Sequence, residues 1–443
     1  MLFKRLNGIR VKHCKNTAKL APERINVPKT VYIPTAMHIG APAKIVVKVG
    51  DAVKVGTLIG ECGSGLSAPL HSSVSGIVKK IDEIVMIAGN HVPTVVIESD
   101  GKQTLDESIL PYTVNSKEKF LEALGKSGIV GLGGAGFPTP IKLNVDSDRV
   151  DTLVINGAEC EPYITSDTRT MIDRADEVAR GIELVSKFLD IDRVIIGIEK
   201  NKPECIASMR KATENMDFVS VKSLPSVYPQ GGEKVLVYHT TGRVVPQGKL
   251  PLDVGLIVMN CTTIAQIARF IDTGTPLVEK CVTVDGSAVR EPKNLLVPIG
   301  TPVGELIEYC GGFKEEPRKI LYGGPMMGIS LADISYPVLK QTNAVIFMAR
   351  DEATPPPVTP CIKCGACINS CPFSLDPVAI SKAYEAKDEA SLEKLRVDIC
   401  MECGCCSYVC PAKRNIVQRN KMAKAMLREY KIKQKMTGGQ NNG

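Results

Sequence analysis

Eight of the sixteen cysteines fall into two copies of one spacing, C-x2-C-x2-C-x3-C-P. The first copy runs from Cys361 to Pro372 and the second from Cys400 to Pro411. Three thiolates placed so closely can bind three corners of one iron–sulfur cubane, and the fourth cysteine of each copy binds the other cluster where two clusters are held. The spacing therefore predicts two [4Fe–4S] clusters with crossed ligand sets. One set is Cys361, Cys364, Cys367 and Cys410, and the other is Cys400, Cys403, Cys406 and Cys371.

Two zinc sites are the alternative use of eight cysteines. Zinc sites usually pair two C-x-x-C units across a longer loop, without a third cysteine at the same spacing. Iron–sulfur clusters are therefore the favoured interpretation. Cys405 lies inside the second copy as a spare thiol, and the other seven cysteines are scattered and predicted to be small core residues.

A glycine-rich stretch is the second sequence feature that could take part in chemistry. Residues 131–140 read Gly-Leu-Gly-Gly-Ala-Gly-Phe-Pro-Thr-Pro and contain G-x-G-x-x-G. Glycines let backbone N–H groups approach a phosphate closely, although any tight loop can be glycine-rich. The prolines are awkward for a helix that starts at the third glycine. The stretch therefore fits a flavin or nucleotide phosphate, held by the backbone and Lys142, better than the usual dinucleotide fingerprint.

The segments around these motifs differ in their predicted secondary structure. Residues 31–100 read as short strands broken by Gly and Pro, and resemble the barrel-sandwich fold of lipoyl carriers, but the hairpin from Cys62 to Val74 lacks the carrier lysine. From about 115 to 260, strands alternate with amphipathic helices, including one over Ala175–Leu189, which predicts a mostly parallel α/β sheet. Short strands return over 275–335, and the proline run from Thr354 to Pro360 marks a linker.

Charge is concentrated at the C-terminus. The formal net charge of the chain is +7, whereas residues 411–437 contain nine Lys or Arg and one acid. Apolar residues at helical spacing predict an amphipathic helix there. It is either a solvated helix or a docking element for an acidic partner or an anionic membrane surface. Nucleic acid is disfavoured, because no base-reading motif accompanies the charge.

Neither a signal peptide nor a membrane span is expected. The N-terminus opens no long apolar stretch, and no run approaches the roughly 20 apolar residues that a span needs. Reduced, cytosolic cysteines are therefore predicted.

The glycine-rich stretch and the segment Val154-Ile-Asn-Gly-Ala-Glu-Cys-Glu-Pro162 resemble motifs of the NADH-oxidising flavoprotein subunit of respiratory complex I. With the carrier-like domain and the cysteine motifs, nearly the whole chain resembles the C subunit of Rnf-type ion-translocating ferredoxin:NAD oxidoreductases. The resemblance implies a multidomain α/β protein with a barrel-sandwich domain, a Rossmann-like FMN/NADH domain, a β-grasp domain and an α-helical two-cluster ferredoxin domain. The predicted boundaries are 1–30 (extension), 31–110, 111–272, 273–340, 341–360 (linker), 361–415 and 416–443 (basic helical tail).

The resemblance also implies roles for individual residues. Contacts to FMN phosphate and ribityl groups are implied for Gly131, Gly133, Gly134, Gly136 and Lys142. Asn156, Glu159 and Glu161 would lie near the isoalloxazine and nicotinamide, Phe137 would stack on adenine, and Gly231, Gly232 and Glu233 would line the same cleft. Two positions depart from complex I, Leu132 for an arginine and Lys234 for an acid. No residue is singled out as catalytic.

The implied function is electron transfer between NAD(H), FMN, two [4Fe–4S] clusters and a partner. Partners would be the membrane subunits of an Rnf-type complex, with ferredoxin as the indirect donor, and the chain would sit peripherally on the cytoplasmic face of the membrane. Two rivals remain open. One is a soluble cobalamin reductase of the propanediol-utilisation type, and the other is an electron-relay scaffold that binds no flavin.

Overall fold

The computed structural model describes residues 6–86 and 89–438, with side chains as far as residue 434. The first five residues of the predicted extension and the last five of the predicted tail lie outside that part. In the described part, no helix combines the length and the apolar character that crossing a membrane requires.

The N-terminal third forms two small antiparallel sheets. Its strands are β1 (Glu23–Arg24), β2 (Thr30–Pro34), β3 (Lys44–Ile45), β4 (Ala52–Val53), β5 (Leu58–Glu61), β6 (Leu70–His71), β7 (Gly76–Val85) and β8 (His91–Ser99). One sheet has the order β2-β8-β7-β4 and the other β3-β5-β6. Alternate residues such as Val31, Ile33, Val95 and Ile97 are fully buried, as expected for strands with one face on a core.

The middle of the chain forms a four-stranded sheet in the order β11-β10-β9-β12, with every pairing parallel. Its elements are α1 (Lys117–Lys126), α2 (Thr139–Leu143), β9 (Thr152–Gly157), α3 (Ser166–Asp173), α4 (Ala175–Leu189), β10 (Val194–Glu199), α5 (Pro203–Ala212), β11 (Val219–Leu224), α6 (Glu233–Thr241), β12 (Leu256–Asn260) and α7 (Cys261–Thr273), with 3-10 turns at Ser147–Arg149 and Pro251–Val254. The parallel sheet and the helix over Ala175–Leu189 were both predicted and are confirmed. One continuous hydrophobic core joins this unit to the N-terminal sheets.

A six-stranded mixed sheet follows, in the order β1-β14-β13-β17-β15-β16. Its elements are β13 (Glu279–Asp285), β14 (Lys293–Pro298), α8 (Val303–Tyr309), β15 (Lys319–Tyr322), β16 (Ile329–Leu331), β17 (Ala344–Met348) and α9 (Arg350–Ala353). All five residues of β17 are buried. Strand β17 pairs with β13 on one side and with β15 on the other. The prediction of a linker from residue 341 is therefore wrong for residues 344–353, which form β17 and α9. Strand β1 brings the N-terminal extension into the same sheet.

The cysteine-rich domain is helical. It contains α10 (Ala366–Asn369), α11 (Pro377–Glu385), α12 (Glu389–Lys394), a 3-10 turn at Val397–Ile399, α13 (Cys405–Tyr408) and α14 (Ile416–Gly438). Ala423 and Leu427 of α14 are buried in one apolar cluster with Leu375, Ile380 and Leu392. The part of the predicted tail up to about residue 430 therefore shares the core of this domain and does not stand apart as a solvated helix.

Candidate functional site

The glycine-rich stretch forms a closed loop at the edge of the parallel sheet. The backbone N–H of Gly131 donates to the carbonyl oxygen of Phe137 at 2.8 Å, and that of Gly136 donates to Gly131 at 3.2 Å. Gly136 has a φ of +68°, a conformation that glycine adopts without steric cost. Gly133 and Gly134 lie exposed on the rim of the loop. Their backbone is therefore accessible to a ligand.

This loop sits on the N-terminus of α7. Asn260 caps the helix, since its side chain accepts from the N–H groups of Thr262 and Thr263. The N–H of Leu132 donates to the hydroxyl of Thr263 at 2.9 Å, and a Cβ on Gly133 would stand 3.0 Å from Asn260. A helix N-terminus favours anions. Asn260 and Thr263 were not predicted, although an Asn between a buried strand and two threonines is an N-cap signal.

Lys142 and Glu233, two predicted site residues, meet across the cleft. The Nζ of Lys142, on α2, lies 3.6 Å from the carboxylate of Glu233 at the start of α6, and both side chains remain partly exposed. The ion pair therefore brings the glycine-rich loop and the Gly231–Gly232 segment near each other, and we call the region between them the cleft.

Asn156 holds the second side of this cleft in place. It is the penultimate residue of β9, and its Nδ2 donates to the carbonyl oxygen of Gly231 at 2.9 Å. The N–H of Gly231 in turn lies 3.2 Å from the sulfur of Cys160. The Gly231–Gly232 segment is thus fixed from both its carbonyl and its amide side.

Glu159 is anchored away from solvent. Its carboxylate accepts from the N–H of Asp167 at 2.6 Å and from the Thr168 hydroxyl at 2.5 Å, both at the start of α3. Lys15 of the N-terminal extension lies 3.8 Å from the same carboxylate and donates to backbone carbonyls of Glu159 and Glu161. Burial raises the pKa of Glu159 and lowers that of Lys15. The extension therefore stabilises this predicted motif.

Glu161 joins three parts of the molecule. Its carboxylate accepts from the N–H groups of Met326 and Met327, at 3.1 and 2.8 Å, in the turn between β15 and β16. The hydroxyl of Tyr228 lies 3.4 Å away. Burial raises the pKa of Glu161 to about 7, against the opposing effect of the two backbone donors. The six-stranded sheet is thereby tied to the edge of the cleft.

The same edge contacts the second cysteine motif directly. The hydroxyl of Tyr228 donates to the carbonyl oxygen of Cys403 at 2.8 Å. A Cβ on Gly232 would stand only 2.2 Å from the terminal methyl of Met401. Tyr228, Cys160, Cys403 and Cys405 are buried together in one apolar cluster. We call residues 228–232 the cleft wall. This segment thus packs directly on residues of the second cysteine motif.

Four predicted ligands line one small cavity. Cys371 of the first motif lines it together with Cys400, Cys403 and Cys406 of the second, and all of them are free thiols. The N–H of Leu375 lies 3.4 Å from the sulfur of Cys371, a bond of the kind that tunes cluster potentials. The four convergent thiols and the nearby N–H group are the donors that an iron–sulfur cluster requires. Cys405 also lines the cavity, but its thiol donates to the carbonyl oxygen of Tyr228.

The other predicted ligand set lies at the surface. Cys361 and Cys364 are exposed, whereas Cys367 and Cys410 are buried in one apolar cluster with Ile416 and Val417 of α14. In the described residues, no three His, Cys, Asp or Glu side chains converge as ligands of a single metal ion would. We call the set around the cavity the inner set and this one the outer set.

Four family models match successive parts of the chain. They are the RnfC barrel sandwich hybrid domain over residues 3–102, the Nuo51 FMN-binding domain over 124–269, the SLBB domain over 281–330 and the 4Fe-4S dicluster domain over 357–416. The order agrees with the predicted order of domains.

Several relatives match this chain over most of their own length. The chain is 41% identical to the C subunit of the proton-translocating ferredoxin:NAD(+) oxidoreductase complex of Clostridium ljungdahlii, over 85% of each chain. It is 42% identical to the C subunit of the Na(+)-translocating complex of Acetobacterium woodii, over 80% of this chain and 81% of that one. Identity to the C subunit of the ion-translocating oxidoreductase complex of Rhodobacter capsulatus is 39%, over 94% and 82%. This chain therefore belongs to the family of C subunits of ion-translocating ferredoxin:NAD(+) oxidoreductase complexes.

Proposed function

We propose that this chain passes electrons between NAD(H), FMN and two [4Fe–4S] clusters, as the C subunit of a membrane-associated, ion-translocating ferredoxin:NAD(+) oxidoreductase complex. The observation that carries the proposal is the direct packing of Tyr228 and Gly232, at the cleft wall, on Met401 and Cys403 of the second cysteine motif. When bound, FMN supplies the conversion between hydride and single electrons, and the clusters supply one-electron relays. The chain's own task is to hold these groups in register.

The cleft offers FMN a phosphate site and a wall. Backbone N–H groups of Gly133 and Gly134, the N-terminus of α7 and the Lys142 ammonium would hold the phosphate. Asn260 and Thr263 extend the set implied by the resemblance, since both contact the loop. On the other side, Asn156 would orient the Gly231–Gly232 segment against the ring. We retain Phe137 as the proposed adenine contact.

Glu159 and Glu161 act mainly as positioning residues in this proposal. The carboxylate of Glu159 is engaged by α3 and Lys15, and that of Glu161 by Tyr228 and the turn at Met326. Both carboxylates stand next to the cleft edge and are already engaged by the protein. Their contribution would be to fix β9 and its following loop.

The inner set (Cys371, Cys400, Cys403, Cys406) is proposed to hold the cluster nearer to the flavin, and the outer set (Cys361, Cys364, Cys367, Cys410) the cluster nearer to a partner. Cys403 of the inner set packs on the cleft wall, whereas two outer ligands, Cys361 and Cys364, are exposed. Electrons would thus enter the two clusters at one end and leave them at the other, and the flow could run in either direction.

At the finer level of fold, we propose that the parallel sheet unit is Rossmann-like and that the six-stranded sheet contains a β-grasp core. The domain boundaries of the sequence interpretation are kept, except that residues 344–353 join the six-stranded sheet and that α14 joins the ferredoxin domain. We further propose peripheral attachment to the cytoplasmic face of the membrane.

Cofactor analysis tests the proposal. Anaerobically purified protein should contain iron, acid-labile sulfide and non-covalent flavin, bleach on addition of NADH and then show reduced-cluster EPR signals at low temperature. Gly133→Ala should lower flavin content severalfold while iron is retained, because its methyl group would crowd Asn260. Gly125→Ala is the matched control, since a Cβ there meets no atom within 4 Å. Colourless protein, or iron without flavin, would contradict the proposal.

A further inference from the structure

One carbonyl group inside the glycine-rich loop is held by a lysine from the six-stranded sheet. Lys280 of β13 donates from its Nζ to the carbonyl oxygen of Leu132 at 3.1 Å. Later in the loop, the carbonyl oxygen of Gly136 accepts from the N–H of Ile39, in the N-terminal domain, at 3.1 Å. Separate domains therefore support the loop from outside the parallel sheet, and the six-stranded sheet does so with a charged side chain.

The contact with Lys280 fixes the direction of one loop amide. The peptide between Leu132 and Gly133 is trans, so its carbonyl oxygen and its N–H point to opposite sides. Leu132 is 1% exposed and Lys280 is 4% exposed, whereas Gly133 lies exposed on the rim. Because the carbonyl oxygen is directed inward to the ammonium, the N–H of Gly133 is directed outward, where a ligand can reach it.

Lys280 also places a buried charge behind this amide. In the part of the chain that the structure describes, no carboxylate forms an ion pair with its Nζ. Burial lowers the pKa of Lys280 to about 8, against the opposing effect of Asp167, so the side chain is cationic at neutral pH. The carboxylate of Asp167 is itself engaged, since it accepts from Asn260 and from the hydroxyl of Thr262 at 2.7 Å each. Buried charges are costly unless they are paired, and an anion bound at Gly133 would face this one.

We propose that Lys280 is a positioning residue for the phosphate end of FMN, because its ammonium holds the Leu132 carbonyl inward, directs the N–H of Gly133 at the phosphate and adds a buried positive charge. The inference rests on the proposed function, since it concerns the cofactor proposed for this loop. A donor that is oriented before binding loses little freedom on binding, and a charge acts more strongly where water does not screen it. Both effects concern the phosphate and not the flavin ring. Lys280 should therefore make the site prefer FMN over riboflavin.

Titration of full-length, cluster-loaded protein with FMN and with riboflavin, after removal of flavin by dialysis, tests the proposal. Flavin fluorescence reports both affinities. Lys280→Met should weaken FMN binding by about tenfold or more, as expected for loss of a contact to a charged group, and should leave riboflavin binding nearly unchanged. Lys280→Gln keeps a donor without the charge and should lose less. Lys280→Arg keeps the cation and should retain most of the preference for FMN.

Lys340→Met is the matched control. Lys340 is also buried, and its Nζ donates to the carbonyl oxygens of Pro69 and Gly128 at 2.7 Å each. Its replacement should lower the urea midpoint, because two buried carbonyl groups lose their donor. The ratio of the FMN and riboflavin affinities should stay as in the wild type. Both affinities are measured on one preparation, so a smaller folded fraction does not alter the ratio.

Three outcomes separate this inference from the proposed function. Equal losses of FMN and riboflavin affinity in Lys280→Met, or no loss of either, would overturn the inference and leave the lysine a structural role. A loss of FMN preference in Lys340→Met as large as that in Lys280→Met would also overturn it, because the effect would not be specific to the loop contact. Wild-type protein that binds neither flavin would refute the proposed function, and the inference with it.

Discussion

The inner and outer ligand sets come from the same cysteine spacing but differ in their most accessible members, since two outer ligands are exposed and no inner ligand is. Cys403 and Cys406 are buried, and the segment that carries them packs under Tyr228 of the cleft wall. Cys361 and Cys364 are exposed and follow a proline run with no regular structure. The repeat therefore builds two similar sites, and packing against the rest of the molecule makes one of them internal and the other external.

This contrast suggests that the two sites respond differently to the same change. At the inner site, Cys403 is buried against Tyr228 of the cleft wall. A substitution at the inner site should therefore alter both cluster binding and the packing of the cysteine-rich domain on the cleft wall. At the outer site, the ligands contact mainly their own domain. Substitutions there should be local. The following predictions test the contrast, from the largest expected effect to the smallest.

Loss of one ligand from each set should separate the two clusters functionally. Cys403→Ala and Cys361→Ala should each lower iron content by up to about half. In Cys403→Ala, NADH should no longer reduce the remaining cluster, whereas in Cys361→Ala the remaining cluster should stay reducible. Iron analysis and low-temperature EPR after NADH addition measure this. Identical EPR behaviour of the two variants would refute the proposed order.

Removal of apolar volume from α14 should destabilise the domain that holds both clusters. Leu427 is 2% exposed and packs on the core beside Cys371 and Cys400, so Leu427→Ala should cost about 3 kcal/mol. Ile432 is 52% exposed on the same helix, and Ile432→Ala should change stability by less than about 0.5 kcal/mol. The urea midpoint for loss of cluster absorbance reports both. Equal midpoints would mean that α14 is dispensable for the domain.

Glu161 should make stability depend on pH at the inner interface. Its pKa is raised from 4.5 to about 7 by burial, so the folded protein binds this proton more tightly than the unfolded chain does. That stabilisation is present below pH 4.5 and is lost as pH rises through about 7. Glu161→Gln should remove this loss, which is at most about 3.5 kcal/mol at about 1.4 kcal/mol per pKa unit.

Thermal unfolding at pH 5 and pH 8 measures the effect. The difference between the two melting temperatures should shrink in Glu161→Gln. It should be unchanged in the control Glu316→Gln, whose carboxylate is exposed on the six-stranded domain. An unchanged difference in Glu161→Gln would show that the carboxylate ionises freely in the fold.

Two glycine substitutions should give the smallest effects on stability, and only one of them should be relieved by a second substitution. Gly232→Ala would push a methyl group against Met401, at a cost of about 1 kcal/mol because the methionine end is flexible. Met401→Ala should relieve this cost in the double variant. Gly365, in the outer motif, has a φ of +74° with no atom near its Cβ position, so Gly365→Ala should cost about 1 kcal/mol through backbone strain alone.

The same urea midpoints measure the stability of the single variants and of the double variant Gly232→Ala/Met401→Ala. Coupling between Gly232→Ala and Met401→Ala would confirm that the cleft wall and the second motif are in contact in solution. Additive effects would contradict that contact. For Gly365→Ala, no neighbouring truncation should restore stability, because no neighbour causes the strain.

Sequence patterns were informative wherever the signal was local. Periodicity predicted α4 and the parallel sheet, and cysteine spacing predicted four thiols that the fold gathers around one cavity. Strand β17 was taken for a linker, because five apolar residues without alternation do not reveal whether they have strand partners. The apolar stripe of α14 was predicted, but the sequence did not reveal that this stripe packs into the core of the cysteine-rich domain.

By itself, the sequence determined the two cysteine repeats, the glycine-rich loop, the order of the domains and the family resemblance, because each depends on residue type and short spacing. Tertiary structure alone decided that Cys403 of the inner set packs beside Tyr228, that Lys15 and Glu161 tie separate segments together, and that Asn260 and Thr263 support the glycine-rich loop. Those contacts join residues far apart in the chain, and no local pattern encodes which distant surfaces will bury one another.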